Sequence, residues 1–173
     1  MTGGITVMLA LGTDHHRCDR AVDWVDDWID GQTAAVRLVA QVGTSRRSRH
    51  GVSHELMPPP DLHAALAAAD VVVCHGGPAT IADARGAGRL PVVVPRDPAL
   101  DEHVDDHQQR FGRWLSARGE VALATTEAEL HGRLDAALAD PSAFRLADGP
   151  VDPRADAVAR FGVLVDELLG LGR

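Results

Sequence analysis

The sequence predicts an α/β fold, a Rossmann-like parallel sheet with helices on both faces. Three observations predict it. Short apolar runs alternate with stretches of helical periodicity, the pattern of strands joined by crossover helices. Runs such as Val71-Val72-Val73-Cys74 and Val92-Val93-Val94 are apolar at every position, as strands covered on both sides are. Each run ends at a glycine, proline or polar break.

Taken in order, residues 5–11 read as the first strand, and Gly12-Thr13-Asp14 leads into a helix with Ala21, Val22, Trp24, Val25, Trp28 and Ile29 spaced for one face. Residues 34–42 form a second strand, followed by the basic loop Arg46-Arg47-Ser48-Arg49. Residues 53–57 read as a short third strand, Pro58-Pro59-Pro60 as a rigid turn, and Asp61 as the N-cap of an Ala-rich helix over 62–69. The fourth strand is 71–74, a helix follows over 79–87, and the fifth strand is 91–95. A long helix over 102–117 closes at Gly119, a last strand lies at 121–124, and a helix over 126–139 stops at Asp140-Pro141. After a turn-rich connector comes a C-terminal helix over 155–169. Residues 1–173 thus read as a single domain.

Composition narrows the function. A net charge of -8 supplies no basic face, and aromatic residues make up 3% of the chain with Tyr absent, so neither counterion release nor base stacking favours nucleic acid as a partner. The start Met1-Thr2-Gly3-Gly4 lacks the basic region of a secretory signal, and of the only two cysteines Cys74 reads as apolar filler at the end of a buried strand and Cys18 as an ordinary helix-start residue, neither a nucleophile, in a reduced, cytoplasmic protein. All 17 basic residues are Arg.

The motif that carries chemistry follows the fourth strand. At His75-Gly76-Gly77-Pro78 two glycines allow close backbone approach, Pro78 suits the first turn of a helix, and the free N–H groups beyond it favour an anion such as a diphosphate. Thr80 and Asp83 lie where a hydroxyl and a ribose-binding carboxylate would face the same ligand. The alternative is a tight turn with Asp83 solvated. There is no G-x-x-x-x-G-K-[ST] and no G-x-G-x-x-G, so a P-loop phosphotransferase and a standard dinucleotide enzyme are both unsupported.

The block from His75 through Pro78, Ala79, Thr80 and Asp83 to Ala84, then Gly88-Arg89-Leu90-Pro91-Val92-Val93-Val94-Pro95, then His103-Val104-Asp105-Asp106-His107-Gln108, resembles the C-terminal, donor-binding domain of family 28 glycosyltransferases. In particular it is similar to the small subunits that are this domain standing alone, one half of a GT-B architecture. Gly12 and Thr13 match the glycine-containing loop of those proteins. The resemblance implies that Gly76 to Thr80 hold the donor diphosphate. It implies that Asp83 stands in for a ribose-binding Glu, and that Asp106, His107, Gln108 and Gln109 line the donor sugar. Main chain near Leu56-Met57-Pro58 would recognise uracil.

It further implies a subunit of a UDP-sugar-dependent inverting glycosyltransferase moving a hexosyl or N-acetylhexosaminyl group to a lipid-linked acceptor. The other half would be a membrane-anchored partner, which holds this chain at the inner membrane face and carries the acceptor site and the general base. A non-catalytic nucleotide-sugar-binding regulatory module is the alternative, and a homo-oligomer stays open. No cofactor is implied beyond the donor.

His15 and His16, in the first strand–helix loop, are the candidate catalytic residues. His103 and His107 have the i, i+4 spacing of a helical zinc pair. With no third ligand evident they read as a polar helix face or the rim of the sugar site, and no metal is expected. Arg46, Arg47 and Arg49 read as a docking patch, a phosphate-attracting rim or a solvated loop.

Overall fold

The computed structural model describes residues 4–147, 149 and 150, and the expected C-terminal helix lies outside them. Six strands form one parallel sheet: β1 Ile5–Ala10, β2 Val36–Gln41, β3 Val52–His54, β4 Val71–Cys74, β5 Val92–Val93 and β6 Ala122–Leu123. Their order in the sheet is β3-β2-β1-β4-β5-β6. This is the doubly wound order, and the chain reverses direction between β1 and β4, where ligands bind outside the strand carboxyl ends.

Alternation along the strands builds two cores. Val7, Leu9, Val71 and Val73 face one side, where α1 Asp19–Asp30 contributes Ala21, Val22, Val25 and Trp28, and α5 Glu127–Ala139 contributes Leu130 and Leu134. Met8, Ala10, Val72 and Cys74 face the other, against Leu66 of α2 Pro59–Ala68, Ile81 and Ala84 of α3 Pro78–Gly86, and Leu115 of α4 His107–Ala117. Trp28 Nε1 donates to Asp135 Oδ1 at 2.8 Å and fixes α1 on α5. Thr126 and Glu129 close a capping box on α5.

Three expectations are corrected. The third strand is Val52–His54 rather than 53–57, because from Glu55 on the chain turns off the sheet edge toward α2. Helix α2 starts at Pro59 with Pro58 as its N-cap, so two of the three prolines sit in the first turn, where their missing N–H groups cost nothing, and Asp61 is inside the helix. Helix α4 begins at His107, not residue 102. Asp101 takes the left-handed conformation at φ 59°, and Glu102 turns into the protein, 4% exposed.

Candidate functional site at the switch point

The β1–α1 loop, the β4–α3 loop and the β5–α4 segment converge at the switch point. Gly12 has φ +72°, and a Cβ there would lie 2.6 Å from His75 Nε2, so backbone angle and crowding both demand glycine. Gly76 and Gly77 are required for a different reason from the one their sequence suggests. Gly77, the N-cap of α3, has φ -73°, an angle any residue adopts. A Cβ on it would meet the His75 ring at 2.1 Å, and one on Gly76 would meet Gln108 Cβ at 2.8 Å. The glycines make room for two side chains of the protein itself.

Those side chains also take the glycine N–H groups. Gly76 N–H donates to Gln108 Oε1 at 3.1 Å, and Gly77 N–H donates to His75 Nδ1 at 3.1 Å. Because His75 accepts at Nδ1, its proton sits on Nε2, which donates to Thr80 Oγ1 at 3.1 Å. The Thr80 hydroxyl proton is then directed elsewhere. Pro78 has no N–H, and Ile81 N–H already reaches Gly77 O. The helix therefore presents the N–H groups of Ala79 and Thr80, which have no carbonyl partner within it. Pro78 and Ala79 are exposed and Thr80 half-buried. Burial, reinforced by the nearby Arg96 charge, lowers the His75 pKa to about 4, so the ring is neutral and acts as a positioning group.

Arg96, only 1% exposed, is a site residue that the sequence reading missed. It donates to the carbonyl oxygens of His16 at 2.5 Å, Leu11 at 3.0 Å and Glu102 at 3.2 Å, stapling the β1–α1 loop to the β5–α4 segment. Its own N–H donates to Gln108 Oε1 at 3.3 Å. Glu102, also missed, receives Arg20 Nε at 3.0 Å and Nη2 at 2.7 Å in a bidentate pair and accepts Asp97 N–H. The one signal for both was a charged residue on either side of an otherwise tight turn after a buried strand.

Gln108 is 3% exposed with its carbonyl committed to two backbone N–H groups, while Gln109 is half-buried at the rim. Asp106 is exposed and paired with Arg110 at 3.1 Å. Asp83, on α3, lies 3.6 Å from His63 Nε2. Met57 N–H donates to Gln41 Oε1 at 2.9 Å, so a buried amide organises the segment expected to read the base. Thr13 is exposed.

Around the mouth, Asp14 Oδ1 holds His16 Nδ1 at 2.7 Å while its Oδ2 faces His103 Nε2 at 3.6 Å. Although burial opposes it, the backbone N–H and ring of His16 together with Arg96 pull the Asp14 pKa down to about 2. His103 and His107 do not share a helix face. His103 lies in the turn before α4 and His107 opens the helix, their rings edge to face at 4.6 Å between centroids. Beside them a cleft of about 660 Å³ is lined by His15, His16, Arg20, Leu100 and Glu102 among others. Cys18 and Cys74 are buried with pKa values pushed up to about 11 and about 12, which removes both as nucleophiles. The basic loop is neutralised from within: Arg46 bonds Asp23 and Asp26, and Arg49 bonds Asp27 at 2.8 Å and Asp30 at 2.6 Å, all on α1. That pairing leaves no phosphate-attracting rim at Arg46 and Arg49.

The strand order and the helix start at its switch point define a Rossmann-type α/β domain. Residues 33–157 match the glycosyltransferase family 28 C-terminal domain, and the chain belongs to that family. Among curated proteins it is 44% identical over 70 residues to the UDP-N-acetylglucosamine--N-acetylmuramyl-(pentapeptide) pyrophosphoryl-undecaprenol N-acetylglucosamine transferase of Verminephrobacter eiseniae, covering 40% of this chain and 18% of that one. It is 38% identical over 120 residues to the enzyme of the same name from Xanthomonas campestris, covering 65% of this chain and 27% of that one. The chain thus spans at most about a quarter of the length of these relatives. Among solved structures, MurG of Acinetobacter baumannii superposes with a TM-score of 0.57 at 18% identity over 82% of this chain and 43% of that one. The glycosyltransferase of kitacinnamycin superposes with a TM-score of 0.60 at 18% identity, over 82% of this chain and 36% of that one. Both share its fold.

Proposed function

We propose that this chain is the donor-binding unit of a UDP-sugar-dependent glycosyltransferase that transfers a hexosyl or N-acetylhexosaminyl group to a lipid-linked acceptor. The names of the curated relatives make UDP-N-acetylglucosamine the first donor to test. The observation that carries the reading is the start of α3. There two outward N–H groups, a Thr80 hydroxyl freed to donate and the field of buried Arg96 meet at the switch point of a family 28 domain.

In transfer, the acceptor oxygen forms a bond to the anomeric carbon as the bond from that carbon to the diphosphate oxygen breaks. The electron pair leaves with UDP. Ala79 N–H, Thr80 N–H and Thr80 Oγ1 stabilise the charge growing on the leaving diphosphate, at donors already aimed before the reaction. Asp83 takes the ribose hydroxyls, the main chain around Met57 the base, and Gln109 with the α4 start the sugar. The proton lost by the acceptor passes to a base on the acceptor side. His16, oriented by Asp14 through Nδ1, is this chain's own candidate for that base.

The acceptor half belongs to a membrane-anchored partner that holds the domain at the cytoplasmic face of the membrane. No helix among the described residues is long and apolar enough to cross a membrane. Calorimetry with UDP, GDP and ADP tests the donor reading: UDP binds best, and Asp83→Ala loses about 0.5–3 kcal/mol of that binding. Equal or absent binding of all three nucleotides refutes it.

A further inference from the structure

The turn entering α4 places two imidazoles and a carboxylate on one point. His103, Asp105 and His107 bring one ligand atom each within 4.8 Å of one another. His103 Nδ1 lies 3.8 Å from Asp105 Oδ1, and His107 Nδ1 contacts that same oxygen. Two ligands of one tetrahedral zinc ion stand about 3.3 Å apart when metal–ligand bonds are about 2.0–2.2 Å, so seating an ion requires the His103–Asp105 pair to close and the His107–Asp105 contact to open, both by side-chain rotation. The sequence reading offered two histidines and no third ligand. The third emerges because residue 103 is off the helix and the chain folds back at Asp105.

His103 supplies the independent sign. Its side chain is 12% exposed, and Nδ1 is a buried polar atom with no hydrogen-bond partner. A buried ring nitrogen left alone costs free energy that a ligand would recover. Its other nitrogen, Nε2, faces the ionised Asp14 carboxylate at 3.6 Å. A carboxylate on that side selects the tautomer protonated at Nε2 and leaves a lone pair on Nδ1, the arrangement by which an outer carboxylate orients a metal-bound imidazole. The neighbouring group of Asp14, His15 and His16 is less suited. The His15 ring is 85% exposed, and no buried ring nitrogen there lacks a partner.

We propose that His103, Asp105 and His107 bind a divalent transition-metal ion such as Zn2+, with Asp14 orienting His103. Nitrogen and carboxylate donors together suit Zn2+ and Co2+ better than Mg2+ or Ca2+. The ligands fall within five residues of one turn, so the cation cross-links the entry to α4, whose next residue, Gln108, holds Gly76 and Arg96. Its role is to order that turn, apart from the transfer chemistry.

The test uses the full chain without an affinity tag, stripped with chelator and titrated with Zn2+ by calorimetry and with Co2+ by visible absorption. The wild type takes up one equivalent with a tetrahedral or five-coordinate cobalt spectrum. His107→Ala, at a 41% exposed side chain where folding is not at stake, abolishes it. His103→Gln abolishes it too, with circular dichroism confirming the fold, and Asp14→Asn weakens it about 10- to 100-fold. No uptake by the wild type overturns the proposal. So does uptake that survives His107→Ala or His103→Gln, with loss in His15→Ala assigning it to the neighbouring Asp14 group. Nucleotide is absent from every arm, so the result is independent of the donor-binding reading.

Discussion

Replacing Gly77 with Ala isolates the packing that shapes the α3 start. The backbone at φ -73° accepts alanine without strain, so the whole effect comes from the new methyl group, which would sit 2.1 Å from His75 Cε1. The ring must move, and with it go the Gly77 N–H···Nδ1 bond and the Nε2–H···Thr80 bond. Two neutral hydrogen bonds are worth about 0.5–1.5 kcal/mol each. Forcing a methyl group into a packed site adds about 1–3 kcal/mol. The expected destabilisation is about 2–6 kcal/mol, which in a domain of this size lowers Tm by about 2–4 °C per kcal/mol. UDP affinity falls as well, since Thr80 loses the partner that aims its hydroxyl. The assay is a double-mutant cycle with His75→Ala, read by urea unfolding and by calorimetry with UDP. Once the ring is gone the methyl group has space, so Gly77→Ala in that background costs under about 1 kcal/mol. If Gly77→Ala alone leaves stability and UDP affinity within error of the wild type, or costs the same in both backgrounds, the reasoning is refuted.

Three further outcomes follow from the same geometry. The folded-state pKa of His75 lies near 4 and the unfolded value near 6.5, so the unfolded chain binds a proton first as pH falls. Stability is flat with respect to this group above about pH 6.5 and falls by about 3 kcal/mol in total down to about pH 4. His75→Gln removes that slope from urea denaturation measured across the range. Gln108→Ala orphans the buried N–H groups of Gly76 and Arg96 and weakens UDP and UDP-sugar alike, whereas a residue that only read the sugar would spare UDP in parallel titrations. Glu102→Ala leaves Arg20 mostly buried without its carboxylate and costs about 3–5 kcal/mol by thermal or chemical unfolding; a loss under about 1 kcal/mol shows the pair to be dispensable.

The sheet was legible because its evidence is local. Val71-Val72-Val73-Cys74 is apolar at every position and stops at glycine, and the structure places all four buried in the centre of the sheet. Periodicity also located α5 to within a residue and found the apolar face of α1. What escaped was set by partners far away in sequence. Glu102 suits a helix, yet it is drawn inward by Arg20, 82 residues earlier, and the helix waits until Asp105 accepts the N–H of His107. The basic loop stayed open between a docking patch, a phosphate rim and a solvated loop because its counter-charges lie about 20 residues back on α1, with Asp26 fully buried between Arg46, Ser48 and Arg49. The glycines of the central motif were found at the right place for a reason only half right, since the atoms that crowd them are His75 and Gln108.

That difference bears on how an anion site is built in a chain whose basic residues are all arginines. Arg96 brings positive charge beneath the switch point, but three backbone carbonyls hold its guanidinium, so on the proposed reading it would act on the donor through its field rather than by contact. Burial, reinforced by the same field, keeps His75 neutral, and a neutral His75 can accept from Gly77 and donate to Thr80 at once, which a protonated ring cannot do. Direct donors are thereby confined to Ala79 and Thr80 at the mouth of α3, fixed before any ligand arrives. A lysine in place of Arg96 would supply the charge but no planar fork to span Leu11, His16 and Glu102. The two loops it joins would part, and with them the relation between the β1–α1 histidines and the start of α4. Charge and architecture are here one requirement, met by one buried side chain.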